Sequence, residues 1–131
     1  MNNLKFENLK HLFPDKTSVN KSGRLEINNN DISDLVNEFG SPLYIYDENT
    51  IRNVAKNYLN KFKSQYENVH VSYSSKAFSN PTLSQILNEE NLGIDVVSGG
   101  ELEILIRSKS LFIFSKLFIT LFIISPNYPL E

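Results

Sequence analysis

Apolar and polar positions along this chain change rhythm several times, and each change marks an element. Ile32, Leu35, Val36 and Phe39 fall at i, i+3, i+4 and i+7, which predicts a short helix with one apolar face. Asn30 or Asp31 stands where its N-cap belongs, and Gly40 where a left-handed residue closes it. Leu43-Tyr44-Ile45-Tyr46 is a nearly continuous apolar run, the composition of a strand covered on both faces. Asp47 caps the next helix, whose stripe is Ile51, Val54, Ala55, Tyr58, Leu59, Phe62 and Tyr66, with Arg52, Lys56, Lys61 and Lys63 outside it. Val69 to Ser74 is rich in β-branched and aromatic residues and reads as a strand. Asn80-Pro81 pairs an N-cap with proline at the first helical position, and Leu83, Ile86 and Leu87 fall on one side of the helix that follows. Gly93 is expected to turn the chain into a third short strand, Ile94 to Val97. Ser98-Gly99-Gly100-Glu101 then opens a helix with Leu102, Leu105 and Ile106 facing inward. Strands alternating with amphipathic helices, joined by crossovers too long for hairpins, make parallel βαβ units and an α/β fold.

The two ends of the chain lack this regularity. Residues 1 to 20 are expected to form a mobile arm with apolar anchors at Phe6, Leu9, Leu12 and Phe13. Gly23 to Ile27 reads as a short strand with Leu25 and Ile27 on one face. Leu111 to Ser125 is apolar without alternation. It falls short of the roughly 20 residues of a membrane span, and Arg107, Lys109 and Lys116 shorten it further.

Composition narrows the function classes. With 131 residues the chain is one small domain at most, far below the roughly 250 of a complete eight-stranded barrel. A net charge of −2 offers no reason to expect nucleic acid or an anionic membrane as partner. Without cysteine there is neither a disulfide framework nor a thiolate metal site. His11 and His70 have no partners at metal-ligand spacing. The polar, Asn-rich start has no apolar core of a secretory signal.

One lysine stands where chemistry is expected. Lys76 lies between the strand ending at Ser74 and the helix starting at Pro81, and parallel α/β folds build sites at the carboxyl ends of strands. A lysine held there loses hydration, which favours the free amine and its attack on carbonyls. Position alone also fits an ordinary surface lysine in a βα loop. Asp95 is a lone carboxylate in an apolar run, where a cation such as Lys76 or loop amides must stabilise it. Ser98-Gly99-Gly100-Glu101 could expose amides to a phosphate, but serine followed three residues later by glutamate is first a capping box. Tyr44, Tyr46 and Tyr73 could reach a ligand, although tyrosines on buried strands are usually core.

Taken together, GSPLYIYDE (Gly40 to Glu48), YSSKAFSN (Tyr73 to Asn80) and LGIDVVSGGEL (Leu92 to Leu102) resemble the pyridoxal-phosphate-dependent decarboxylases of basic amino acids, the alanine-racemase-like fold type. The lead-in LFPDKTSVNKSGRLEI (Leu12 to Ile27) is similar as well, so the resemblance runs from Leu12 to Ser108. Where Ser74 stands the family usually has alanine or proline, a small-for-small change.

The resemblance implies a partial (β/α)8 barrel of about three βα units over residues 30–108, with residues 1–22 as an arm. Residues 23–29 would be a strand pairing with a carboxy-terminal β-domain that this chain lacks. It implies pyridoxal 5'-phosphate as cofactor, with Lys76 as its catalytic and covalent attachment point and Asp95 as a cofactor-binding support. Decarboxylation of meso-diaminopimelate to lysine is the reaction implied first, by a cytoplasmic homodimer acting on a small amino acid. Ornithine or arginine decarboxylation and a non-catalytic carrier of the cofactor are the alternatives. The family's histidine, acidic, arginine and cysteine contributions fall in sequence absent here, so the chain alone is expected to be an inactive fragment. Residues 109–131 depart from the family and are expected to be a frameshifted or mispredicted end.

Overall fold

The computed structural model describes residues 6–108; the expectations for the tail at 109–131 and for the first residues of the arm lie outside them. The chain divides into two compact units, one through Val54 and the other from Ala55 onward.

In the first unit, β1 (Thr17–Val19), β2 (Leu25–Ile27) and β3 (Asn30–Asp31) form an antiparallel sheet in that order. Thr17 pairs with Ile27 and Val19 with Leu25, while Ile27 also faces Asn30. Asn20 builds the first turn, its side-chain oxygen accepting from the amides of Ser22 and Arg24 at 3.0 and 2.9 Å. The second turn consists of Asn28 and Asn29, with φ of 49° and 66°. Asparagine tolerates that region, and two such residues match the right-handed twist of a hairpin. The strand at Leu25–Ile27 thus has a neighbour on each side within the chain, and the segment before it carries a strand that its pattern does not reveal. Three residues are too few for a period to show.

Asp31 resolves the choice of N-cap for α1 (Ile32–Phe39), its side chain accepting from the Ser33 amide at 2.8 Å. Gly40 closes the helix with φ 85° and ψ −175°. This is not the left-handed helical conformation expected but the positive-φ extended one, which only glycine takes readily. Leu43 to Tyr46 joins no sheet among the described residues, and Tyr44 is 86% exposed. The expected first barrel strand is therefore not formed, because β-rich composition becomes a strand only where a neighbour supplies the ladder. Asp47 begins α2 (Glu48–Lys63), accepting from the Thr50 amide at 3.0 Å and its hydroxyl at 2.6 Å.

The second unit contains the βαβα segment. β4 (Ser72–Ser74), α3 (Pro81–Glu89), β5 (Gly93–Asp95) and α4 (Gly99–Arg107) follow in order. β4 and β5 are parallel, with Ser72, Tyr73 and Ser74 opposite Gly93, Ile94 and Asp95. Ala55 and Leu59 of α2 pack with Leu87, Leu92, Ile94, Val96 and Leu105 into one core. The Asn80 side chain accepts from the Leu83 amide at 2.8 Å and Pro81 occupies the first turn of α3, as their order predicts. The turn out of α3 belongs to Asn91, at φ 62°. Gly93 is instead the first residue of β5, its amide donating to the Val71 carbonyl at 2.9 Å. Val97 and Ile106, expected inside, are exposed. Successive helical residues diverge by about 100°, so the narrow contact that buries Leu105 leaves Ile106 outside. Gln85 of α3 donates to the Ser108 carbonyl at 2.8 Å and ties the end of α4 down. Among the described residues no helix is long and apolar enough to cross a membrane.

Candidate functional site

The parallel pair aims its carboxyl ends at one side of the second unit, and Lys76 lies there. It occupies a 3-10 turn, Ser75–Ala77, directly after β4. Hydrogen bonds hold that turn from two directions. The Tyr73 hydroxyl donates to the Phe78 carbonyl at 3.0 Å, closing a clasp over the residues between. Ser75 is buried, at 4% exposure, and its Oγ lies 2.8 Å from the Asp95 carbonyl oxygen and 2.5 Å from Glu101 Oε2. A hydroxyl has one proton, so it donates to one of these acceptors at a time. The shorter contact is in the range of a charge-assisted bond to a carboxylate.

Glu101 is the polar centre of this corner. Its Oε2 also accepts from the Val97 amide at 2.8 Å, while the Glu101 amide donates to Ser98 Oγ at 3.3 Å. The serine half of the expected capping box is present, but the carboxylate goes to Val97 and Ser75 in place of the Ser98 amide. The Ser75 hydroxyl, followed by the Val97 amide, holds the Glu101 carboxyl below the usual range against the opposing effect of burial. The Ser98 side chain and the positive charge of Lys76 act in the same direction.

The lysine side chain is exposed rather than desolvated. Asp95 is half-buried at the end of β5, opposite Ser74. Its backbone carbonyl takes part in the Ser75 network, but its carboxylate and Lys76 form no ion pair. The acidic group under the influence of Lys76 is Glu101. Sequence reasoning assigned Glu101 only to capping and passed over Ser75. Its place directly before the lysine was the available signal. Of the tyrosines, Tyr73 is half-buried beside the lysine turn, while Tyr44 and Tyr46 are exposed in the first unit. Gly99 and Gly100 begin α4, and a Cβ on either would meet open space, so packing does not require them. Among the described residues no group of His, Cys, Asp and Glu could hold a metal ion.

Comparison with known proteins finds this corner in one family of enzymes. Residues 51–110 match the model described as pyridoxal-dependent decarboxylase, pyridoxal binding domain. That segment contains β4, the Lys76 turn, β5 and α4. Over these residues the chain is similar to the pyridoxal-dependent decarboxylases. It is 46% identical over 93 residues to diaminopimelate decarboxylase of Synechocystis sp., covering 70% of this chain and 20% of that protein. It is also 46% identical over 83 residues to the Bacillus subtilis diaminopimelate decarboxylase, covering 63% of this chain and 19% of the relative. The solved diaminopimelate decarboxylase of M. jannaschii in complex with L-lysine superposes with a TM-score of 0.62 at 30% identity, over 73% of this chain and 23% of that one. The chain thus spans about a fifth of the length of the decarboxylases it matches, and its fold is part of an α/β barrel of this family.

Proposed function

We propose that this chain is the lysine-bearing segment of a diaminopimelate decarboxylase, with Lys76 as the covalent attachment point of pyridoxal 5'-phosphate. The observation that carries the reading is the accessible Lys76 amine, held on a hydrogen-bonded turn at the carboxyl end of a parallel strand. The segment around it is the one matched to a pyridoxal-binding domain. A primary amine open to solvent, with a carboxylate near it, fits the aldehyde of that cofactor. When bound, pyridoxal phosphate supplies the electron sink that makes loss of CO2 feasible. Lys76 would hold the cofactor covalently through Nζ, at the carboxyl end of β4. Asp95 supports this side of the site from the end of β5. Tyr73 and Ser75 would keep the turn that carries the lysine from shifting.

The complete enzyme takes meso-diaminopimelate to L-lysine and CO2, as a cytoplasmic homodimer. The names of the relatives and the L-lysine bound to one of them support this substrate class. Treating the chain with pyridoxal phosphate, reducing with borohydride and mapping peptides tests the assignment. The label is expected on Lys76 ahead of the other lysines. A label spread evenly over the lysines, or concentrated elsewhere, overturns it.

A further inference from the structure

We infer that Ser75 and Glu101 together are positioning residues for Lys76, a hydroxyl–carboxylate latch that fixes the lysine turn to the start of α4. The inference rests on the cofactor reading above and adds two residues to it.

The geometry is specific. Ser75 is the residue before Lys76 and is 4% exposed, so its hydroxyl must be satisfied inside the protein. It reaches β5 through the Asp95 carbonyl and α4 through Glu101 Oε2, at 2.8 and 2.5 Å. The same Oε2 accepts from the Val97 amide at 2.8 Å. One carboxylate oxygen therefore joins the lysine turn, the residue after Val96 of the core, and the first turn of α4. A helix cap alone requires none of the contact to Ser75. The capping role is met by Ser98, whose Oγ takes the Glu101 amide.

The chemistry of the pair also bears on the lysine. The Lys76 charge contributes to keeping Glu101 ionised. Ionised Glu101 accepts the Ser75 proton. Once protonated, Glu101 can itself donate to Ser75 Oγ, leaving the serine proton for the Asp95 carbonyl. The latch keeps its contacts in both states but loses the negative charge near Lys76 in the second. Removing Ser75 leaves the turn with the Tyr73 clasp as its remaining described side-chain tie, and removing Glu101 leaves that clasp and the Ser75 bond to the Asp95 carbonyl.

The test uses the full 131-residue chain, pyridoxal phosphate as probe, and borohydride with peptide mapping as the record of attachment. The label on Lys76, relative to that on exposed Lys61, is expected to fall about fivefold or more in both Ser75→Ala and Glu101→Ala. Ser75→Thr, which keeps the hydroxyl, is expected to restore it to within about twofold. Ser84→Ala, which removes another buried serine hydroxyl, is expected to leave it unchanged. Unchanged Lys76 labelling in Ser75→Ala and Glu101→Ala overturns the latch while the cofactor reading stands. Absence of Lys76 labelling in the unaltered chain overturns the cofactor reading and the latch with it. A second measurement does not depend on variant folding. The Val97 amide resonance of the unaltered chain should follow a titration with its midpoint below the ordinary glutamate range. A Val97 amide that follows no carboxyl titration, or one within or above the ordinary glutamate range, overturns the latch.

Discussion

Ile94 is a core residue of β5, the strand beside the one that leads into the lysine turn, and Ile94→Ala is the sharpest test of what supports the site. It is 2% exposed, stands opposite Tyr73 in the parallel pair, and packs in the cluster that joins Ala55 and Leu59 to Leu87 and Leu105. Truncation removes three buried carbon groups, about 2.4 kcal/mol of transfer free energy at about 0.8 kcal/mol each. The cavity term raises the expected cost to about 3–4 kcal/mol, within the range of about 2–5 for such changes. A unit of about fifty residues has about 3–8 kcal/mol of stability in all, so this single change removes a large part of it. The chain has no tryptophan, and helix content by circular dichroism in a urea titration is the suitable assay. Ile106→Ala is the control: the same residue type on α4, at 41% exposure, with an expected cost below about 1 kcal/mol. Equal costs for the two substitutions would refute the placement of the core under β5. A large loss at Ile94 should also weaken borohydride labelling at Lys76, because β5 carries the Asp95 carbonyl against which Ser75 rests.

Two further changes test how the elements are held. Asn80→Ala should cost about 1 kcal/mol by freeing the Leu83 amide at the start of α3, while Asn80→Asp should cost little; an undiminished urea midpoint for the alanine variant contradicts the cap. Asp31 is subject to burial, which raises its pKa, but the Ser33 amide, the Arg24 guanidinium at 2.8 Å, Asn20 and the Asp34 amide together hold it below the ordinary aspartate range. A carboxylate held low stabilises the fold fully above its unfolded value and loses that contribution as pH falls through the lower folded one. Asp31→Asn should therefore flatten the acid limb of a stability–pH curve, and parallel curves for the two proteins would count against the Arg24–Asp31 cluster.

What the sequence determined by itself is local and chemical. The 3.6-residue stripes place α1, α3 and α4 to within a residue or two, and α2 apart from its end, where the stripe runs to Tyr66 and the helix stops at Lys63, because an amphipathic face can be read without knowing what covers it. The caps at Asp31, Asp47, Asn80 and Ser98 are equally legible, since each satisfies amides in its own first turn. Lys76 at the strand-to-helix turn follows from the same local order, as does the family its surroundings resemble. Tertiary structure decided what depends on residues distant in the chain. Leu43 to Tyr46 has the composition of a buried strand but joins no sheet here, and Leu25 to Ile27 has neighbours on both sides. Strand pairing is made with partners that a local window does not contain. Glu101 reads as a cap in sequence because Ser98 is three residues away, whereas its bond to Ser75 spans 26 residues. That bond exists only because β4 and β5 lie side by side, which brings the serine before the lysine within reach of the helix after the next strand.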